Sequence, residues 1–140
     1  MTWIIGAAAA LGYAVGISDT CVTLADRSER DCLQKIYPIS RFIAAGFAGS
    51  VRIGFGMVNA LVEHLQDLPE SAAWFPDDVA DDLGDLARQV FRDSGATEQA
   101  FRSHLMLLGA HPTEDVGIPG YARCFVHILK SPDFTPQMAR

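Results

Sequence analysis

The sequence predicts an α+β domain made of antiparallel sheets with helices on the outside. Two observations carry that expectation. The elements come as several strands, then two helices, then two more strands, not as the strand–helix alternation of a parallel doubly wound sheet. Apolar residues make up 49% of the chain and charged residues 20%, ordinary globular values that exclude intrinsic disorder. A chain of 140 residues buries roughly two thirds of its unfolded surface, so one core and a single domain spanning residues 1–140 are expected.

The first 49 residues read as a β-meander. Trp3–Ala10 and Tyr13–Asp19 flank Gly12, a natural turn residue. Both runs are nearly all apolar, as for strands covered on both faces. Residues 1–25 carry a single charge, Asp19, which raises the question of a signal peptide or membrane span. No Lys or Arg precedes Arg27, so the basic n-region of a signal is missing. A spanning helix needs about 20 apolar residues, and Gly6, Gly12 and Gly16 interrupt this shorter run. A buried strand pair is the preferred reading. Cys21–Ala25 is a third β-like stretch, ending in the polar turn Asp26–Asp31. Cys32–Tyr37 forms a fourth, with Lys35 inside it, and stops at Pro38. Pro38–Ser40 connects it to the apolar strand Arg41–Phe47.

The pattern changes at Gly49–Ser50. Ser50 is a good N-cap, and Ile53, Met57, Leu61, Leu65 and Leu68 follow at helical spacing, with Phe55, Val58 and Val62 widening the apolar face. Pro69 ends this helix. Pro76 suits the first position of a second one, with Asp77 and Asp78 in its first turn. Its stripe is Val79, Leu83, Leu86 and Val90, and Gly95 closes it. His104–Ala110 and Tyr121–Leu129 are two further strands around a Pro/Gly loop at 111–120. Residues 131–140 are expected to be an irregular tail.

Eleven Lys/Arg against 17 Asp/Glu give a net charge of −6 and a pI near 5.0. There is no basic block, so neither nucleic acid nor a membrane is an expected partner. Cys21, Cys32 and Cys124 are an odd set without C-x-x-C spacing. They read as reduced thiols of a cytoplasmic protein, not as a disulfide frame or zinc site. Cys124 and His127 fall three apart on a strand and point to opposite faces. No metal and no cofactor is expected.

Three features could carry chemistry. Met1 is followed by Thr2, a small residue that permits removal of the initiator methionine and exposure of a threonine α-amine. With a pKa near ~8, such an amine can act as general base for its own hydroxyl, although Met-Thr is also a common protein start. Asp19 closes an apolar strand and Lys35 sits in another. Such charges are costly against a core unless paired, and the alternative is exposure at strand ends. A lysine beside an amine would also help keep that amine neutral. Ala45–Ser50 runs from strand to helix through Gly46 and Gly49, where backbone N–H groups could face an oxyanion. It lacks both nucleotide-binding glycine signatures, and a plain tight turn is its alternative.

Taken together, these features resemble proteasome-type N-terminal nucleophile hydrolases: proteasome β subunits and bacterial proteasome-like proteins. The resemblance rests on Thr2, on the strand Gly12–Ser18 leading to Asp19–Thr20, on Lys35–Ser40, and on Phe42–Gly49 running into a helix. Asp19 and Lys35 are 16 positions apart and Lys35 and Gly49 are 14 apart, both like the family's spacings. Thr2 to Asp19 is one residue longer. The resemblance implies a four-layer αββα sandwich and a catalytic set of Thr2 (nucleophile), Asp19 and Lys35 (tuning the amine and hydroxyl) and Gly49 (oxyanion donor). It further implies an acyl-enzyme route on peptide or unfolded-protein substrates, a homo-oligomeric ring, and a possible unfoldase or other regulatory partner. It covers residues 2 to about 130. Family members continue beyond the last strand, so an incomplete C-terminal part is expected, with exposed sheet edge and apolar surface. Two rival readings are a catalytically silent assembly subunit or truncated gene product, and a small secreted α+β binding domain whose residues 1–20 are a signal.

Overall fold

A computed structural model describes residues 3–9, 13–69, 76–111 and 123–138. The fold is mixed α+β with antiparallel sheets. The two apolar N-terminal runs form β1 (Ile4–Ala9) and β2 (Tyr13–Ser18), paired from Ile4↔Ser18 to Ala9↔Tyr13 as a two-stranded ribbon. β3 (Cys21–Thr23) and β4 (Glu29–Asp31) form a second small hairpin. Its turn is tied by Asp26, whose carboxylate accepts from the Ser28 N–H at 2.9 Å and hydroxyl at 2.6 Å. β5 (Ile36–Pro38) pairs with β6 (Ile43–Ala48). The first 49 residues are thus three separate hairpins, where one continuous meander was expected.

β6 also pairs with β7 (His104–His111), which pairs with β8 (Arg123–Lys130), giving a five-stranded sheet ordered β5-β6-β7-β8-β9. The fifth strand, β9 (Gln137–Met138), lies in the segment expected to be an irregular tail. That segment is held by Phe134, which is fully buried, lies 5.6 Å from the Phe91 ring and donates its N–H to the Lys130 carbonyl at 2.8 Å. One large side chain with a pocket is enough to dock a short tail that has no periodicity of its own.

Two helices cover one face of this sheet. α1 (Val51–Asp67) starts at the expected cap, where Ser50 Oγ accepts from the Ile53 N–H at 3.3 Å. α2 (Pro76–Asp93) starts at Pro76. It ends before Gly95, which instead precedes a short third helix, α3 (Ala96–Gln99), absent from the sequence reading. Ile53, Met57 and Leu61 of α1 and Leu83 and Ala87 of α2 pack on Ala45, Phe47, Leu105, Leu107 and Leu129, all essentially inaccessible. The helix comes so close that a Cβ on Gly54 would sit 2.1 Å from the Phe47 ring.

The opposite face of the sheet carries Met106, Leu108 and Val126, packed against Ile4, Ala14 and Ile36. The ribbon is therefore a third layer on that side. Its outer face is bare: Trp3, Ile5, Tyr13, Val15 and Ile17 are 48–66% exposed. This corrects the expectation that both faces of the ribbon are covered. Phe125 and His127 share one face of β8, their rings tilted at 51° with centroids 5.7 Å apart, so Cys124 lies on the other. All three cysteines are free thiols. Among the described residues no helix is long and apolar enough to cross a membrane.

Candidate functional site

The site forms where the three hairpins and the start of α1 converge. β2 runs straight into Asp19, whose backbone N–H donates to the Trp3 carbonyl at 3.3 Å. Lys35 immediately precedes β5, not within a strand as expected, but its carbonyl accepts from the Phe47 N–H at 3.0 Å and continues the pairing with β6. This anchoring points the Lys35 side chain inward, where it is 2% exposed. Its Nζ reaches Asp19 Oδ1 and the Cys21 carbonyl, each at 2.5 Å. Asp19 is itself 13% exposed. The alternative in which both charges sit exposed at strand ends does not hold: they form a buried pair. Such a pair stands only because each charge is compensated by the other.

Gly49 ends β6. Its φ of +103° lies in a region that side chains rarely adopt, and a Cβ there would lie 2.2 Å from the Arg102 carbonyl. Backbone strain and space therefore both require glycine at this turn. The residue is exposed at the head of α1. Next to it, the buried Ser50 hydroxyl caps α1 and donates to the Glu98 carboxylate of α3.

These residues surround a cavity of about 890 Å³, within the range of small-molecule and peptide sites. One wall is the β3 segment Cys21–Ala25, and the other is the turn Ala48–Arg52. Lys35 and Phe47 line it between them, and Glu98, Phe101, Arg102 and His104 complete it. Phe47 is fixed from behind by Phe55 and Tyr37, with ring centroids 5.4 and 6.4 Å away.

Lys35 and Gly49 thus share one cavity, and Asp19 is bonded to Lys35. Thr2 lies outside the described residues. Its chain neighbour Trp3 is hydrogen-bonded to Asp19. Four charged or imidazole-bearing cavity residues were missed by sequence reading: Arg52, Glu98, Arg102 and His104. Arg102 and His104 arrive because β7 returns antiparallel to β6, which sets His104 opposite Ala48. The signal available was the polar triplet Arg102–Ser103–His104 before an apolar strand. His104 is held below its ordinary pKa, first by burial and then by the nearby Lys130 and Arg102 charges. Its Nδ1 is buried without a hydrogen-bond partner among the described residues.

The arrangement can hold an ammonium group at a fixed depth beside an open cleft. It also presents the exposed, positive-φ Gly49 at the N-terminus of a 17-residue helix, where partial positive charge accumulates. Both features favour developing negative charge on a bound group. Neither a protein-family model nor a curated protein matches this chain.

Proposed function

We propose that the chain is a threonine-type peptidase of the proteasome-like, N-terminal nucleophile class. In this reading it acts in the cytoplasm on peptide or unfolded-protein substrates and assembles into a homo-oligomeric ring. The observation that carries the reading is the Asp19–Lys35 pair. A lysine 2% exposed is bonded at 2.5 Å to an aspartate whose own backbone N–H bonds to Trp3. That lysine shares a cavity with the positive-φ Gly49. The layer order of helix pair, sheet and ribbon supports three of the four layers of an αββα sandwich.

The chemistry then follows from the groups present. With Met1 removed, Thr2 Oγ attacks the substrate carbonyl carbon while its proton passes to the Thr2 α-amine, directly or through water. The Lys35 ammonium, held by Asp19, disfavours a second positive charge close by and keeps that amine neutral and able to accept. The Gly49 N–H offers a donor to the oxyanion of the tetrahedral intermediate, a contribution worth about 10²-fold or more in rate. Collapse expels the amine product, which takes the proton, and leaves an ester on Thr2 that water hydrolyses.

Intact-mass analysis and N-terminal sequencing are expected to show loss of Met1 alone. A peptide epoxyketone or β-lactone is expected to label Thr2, and Thr2→Ala to abolish peptide hydrolysis. Hydrolysis that survives in Thr2→Ala refutes the nucleophile, and a mature start near residue 20 refutes the class. A ring with unlabelled Thr2 makes the chain a silent assembly subunit.

A further inference from the structure

We infer that the cavity recognises a carboxylate side chain, so that the preferred peptide carries Asp or Glu beside the bond held at Gly49. The inference rests on the peptidase reading for the identity of the ligand, but on separate residues for its charge.

The charges around the cavity do not cancel. Lys35 is buried and paired with Asp19 at 2.5 Å. Glu98 accepts from the neutral Ser50 hydroxyl and keeps its negative charge. Arg52 and Arg102 outnumber it, which leaves the lining with an excess of positive charge. Both line the cavity, both are exposed, and neither has an ion-pair or hydrogen-bond partner among the described residues. Arg52 sits in the first turn of α1, which contains no acidic residue. A cation there opposes the helix dipole, so local helix stability does not account for it. The remaining lining combines apolar Val22, Leu24, Phe47 and Val51 with polar Thr23 and His104. A partly apolar cleft with two guanidinium groups matches an extended peptide with one carboxylate, because the planar fork pairs with carboxylate oxygens two at a time.

His104, at the same end of β7, is held below its ordinary pKa first by burial and then by the Lys130 and Arg102 charges. The positive charges of the cavity stand on a chain whose net charge is −6. Long-range attraction for acidic peptides is therefore absent, and discrimination has to come from contact. A contact effect between exposed groups is modest and fades in salt.

The test uses fluorescein-labelled Ala-Ala-Leu-Glu-Ala and its Gln and Lys analogues, with affinities read by fluorescence anisotropy on the Thr2→Ala chain so that turnover plays no part. The Glu peptide is expected to bind about fivefold tighter than the Gln peptide, and the Lys peptide weaker than both. In an R52Q/R102Q variant, or at 1 M salt, the three are expected to converge. The double change touches only exposed side chains, and an unchanged melting temperature confirms that the fold is kept. Equal affinity for the Glu and Gln peptides overturns the inference, as does a Glu preference that survives R52Q/R102Q or the absence of binding by all three. If Thr2 resists labelling while the Arg-dependent preference holds, the peptidase reading falls and the carboxylate site stands. If Thr2 is labelled and no preference exists, the reverse is true.

Discussion

The outer faces of the two stacked sheets are written in nearly the same alphabet and have opposite fates. On β6, Ile43, Ala45 and Phe47 alternate along one face and are 0–3% exposed beneath α1 and α2. On β2, Tyr13, Val15 and Ile17 alternate in the same way and are 49–66% exposed. Period-two alternation decides which side chains share a face. It does not decide whether a further layer covers that face. Here coverage comes from α1 and α2, whose own apolar stripes need a partner and find it on the five-stranded sheet. The ribbon's aromatic and branched residues leave on the order of 500 Å² of apolar surface, near the upper end for the largest patch of a soluble monomer.

The seam between the two layers is where the comparison is most easily broken. Asp19 belongs to the end of the ribbon and Lys35 to the start of the sheet, and their ion pair is nearly dry. Asp19→Ala leaves a lysine 2% exposed without its counter-charge. A loss of about 3–5 kcal/mol is expected, measured by urea unfolding. A loss under 1 kcal/mol would mean that water or another group takes over the compensation, and that the pair does not bind the layers together.

The covered and bare faces are then compared directly. Leu61→Ala under the helix pair, at a site with no exposure, should cost about 2–5 kcal/mol. Ile17→Thr on the bare face should cost no more than about 0.5 kcal/mol. A double variant, Ile5→Thr with Ile17→Thr, should also bind less of a hydrophobic dye such as ANS. If Ile17→Thr proved as costly as Leu61→Ala, the face would be covered in solution and the contrast between the layers would disappear.

Much of this arrangement is legible in the sequence because it is local. The Ser50 cap, the helix start at Pro76 and the glycine at the strand–helix turn each follow from what one residue does to its own backbone. The Asp19–Lys35 pair is legible for a different reason: two lone charges in apolar stretches have few ways to be stable other than together. What was not legible depends on distant chain. Arg102 and His104 enter the cavity only through the register of β7 on β6. Glu98 enters through a four-residue helix too short for any periodicity. Phe134 looks like any tail aromatic until the pocket between Phe91 and Gly84 is built. The bare outer face of the ribbon was read as buried for the same reason, since composition cannot say what lies above a sheet.

The smallest effect separates the layers by pH. Between Ile4 and Ser18 the ribbon strands carry no carboxylate, histidine or lysine, whereas β7, the central strand of the sheet, starts at His104. Burial, aided by Lys130 and Arg102, lowers that imidazole's pKa below 6.5 in the folded chain. In the unfolded chain it returns to about 6.5. Between the two values the unfolded state binds the extra proton, so stability falls as pH drops through the unfolded value and levels off below the folded one. Above pH 7 the residue is neutral in both states and contributes no slope. His104→Asn should therefore flatten the stability curve of the chain below about pH 6.5 while leaving it unchanged at pH 8, read from urea midpoints at each pH. A wild-type curve that the substitution leaves equally steep would place the proton uptake elsewhere and remove His104 as the titrating group of the covered sheet.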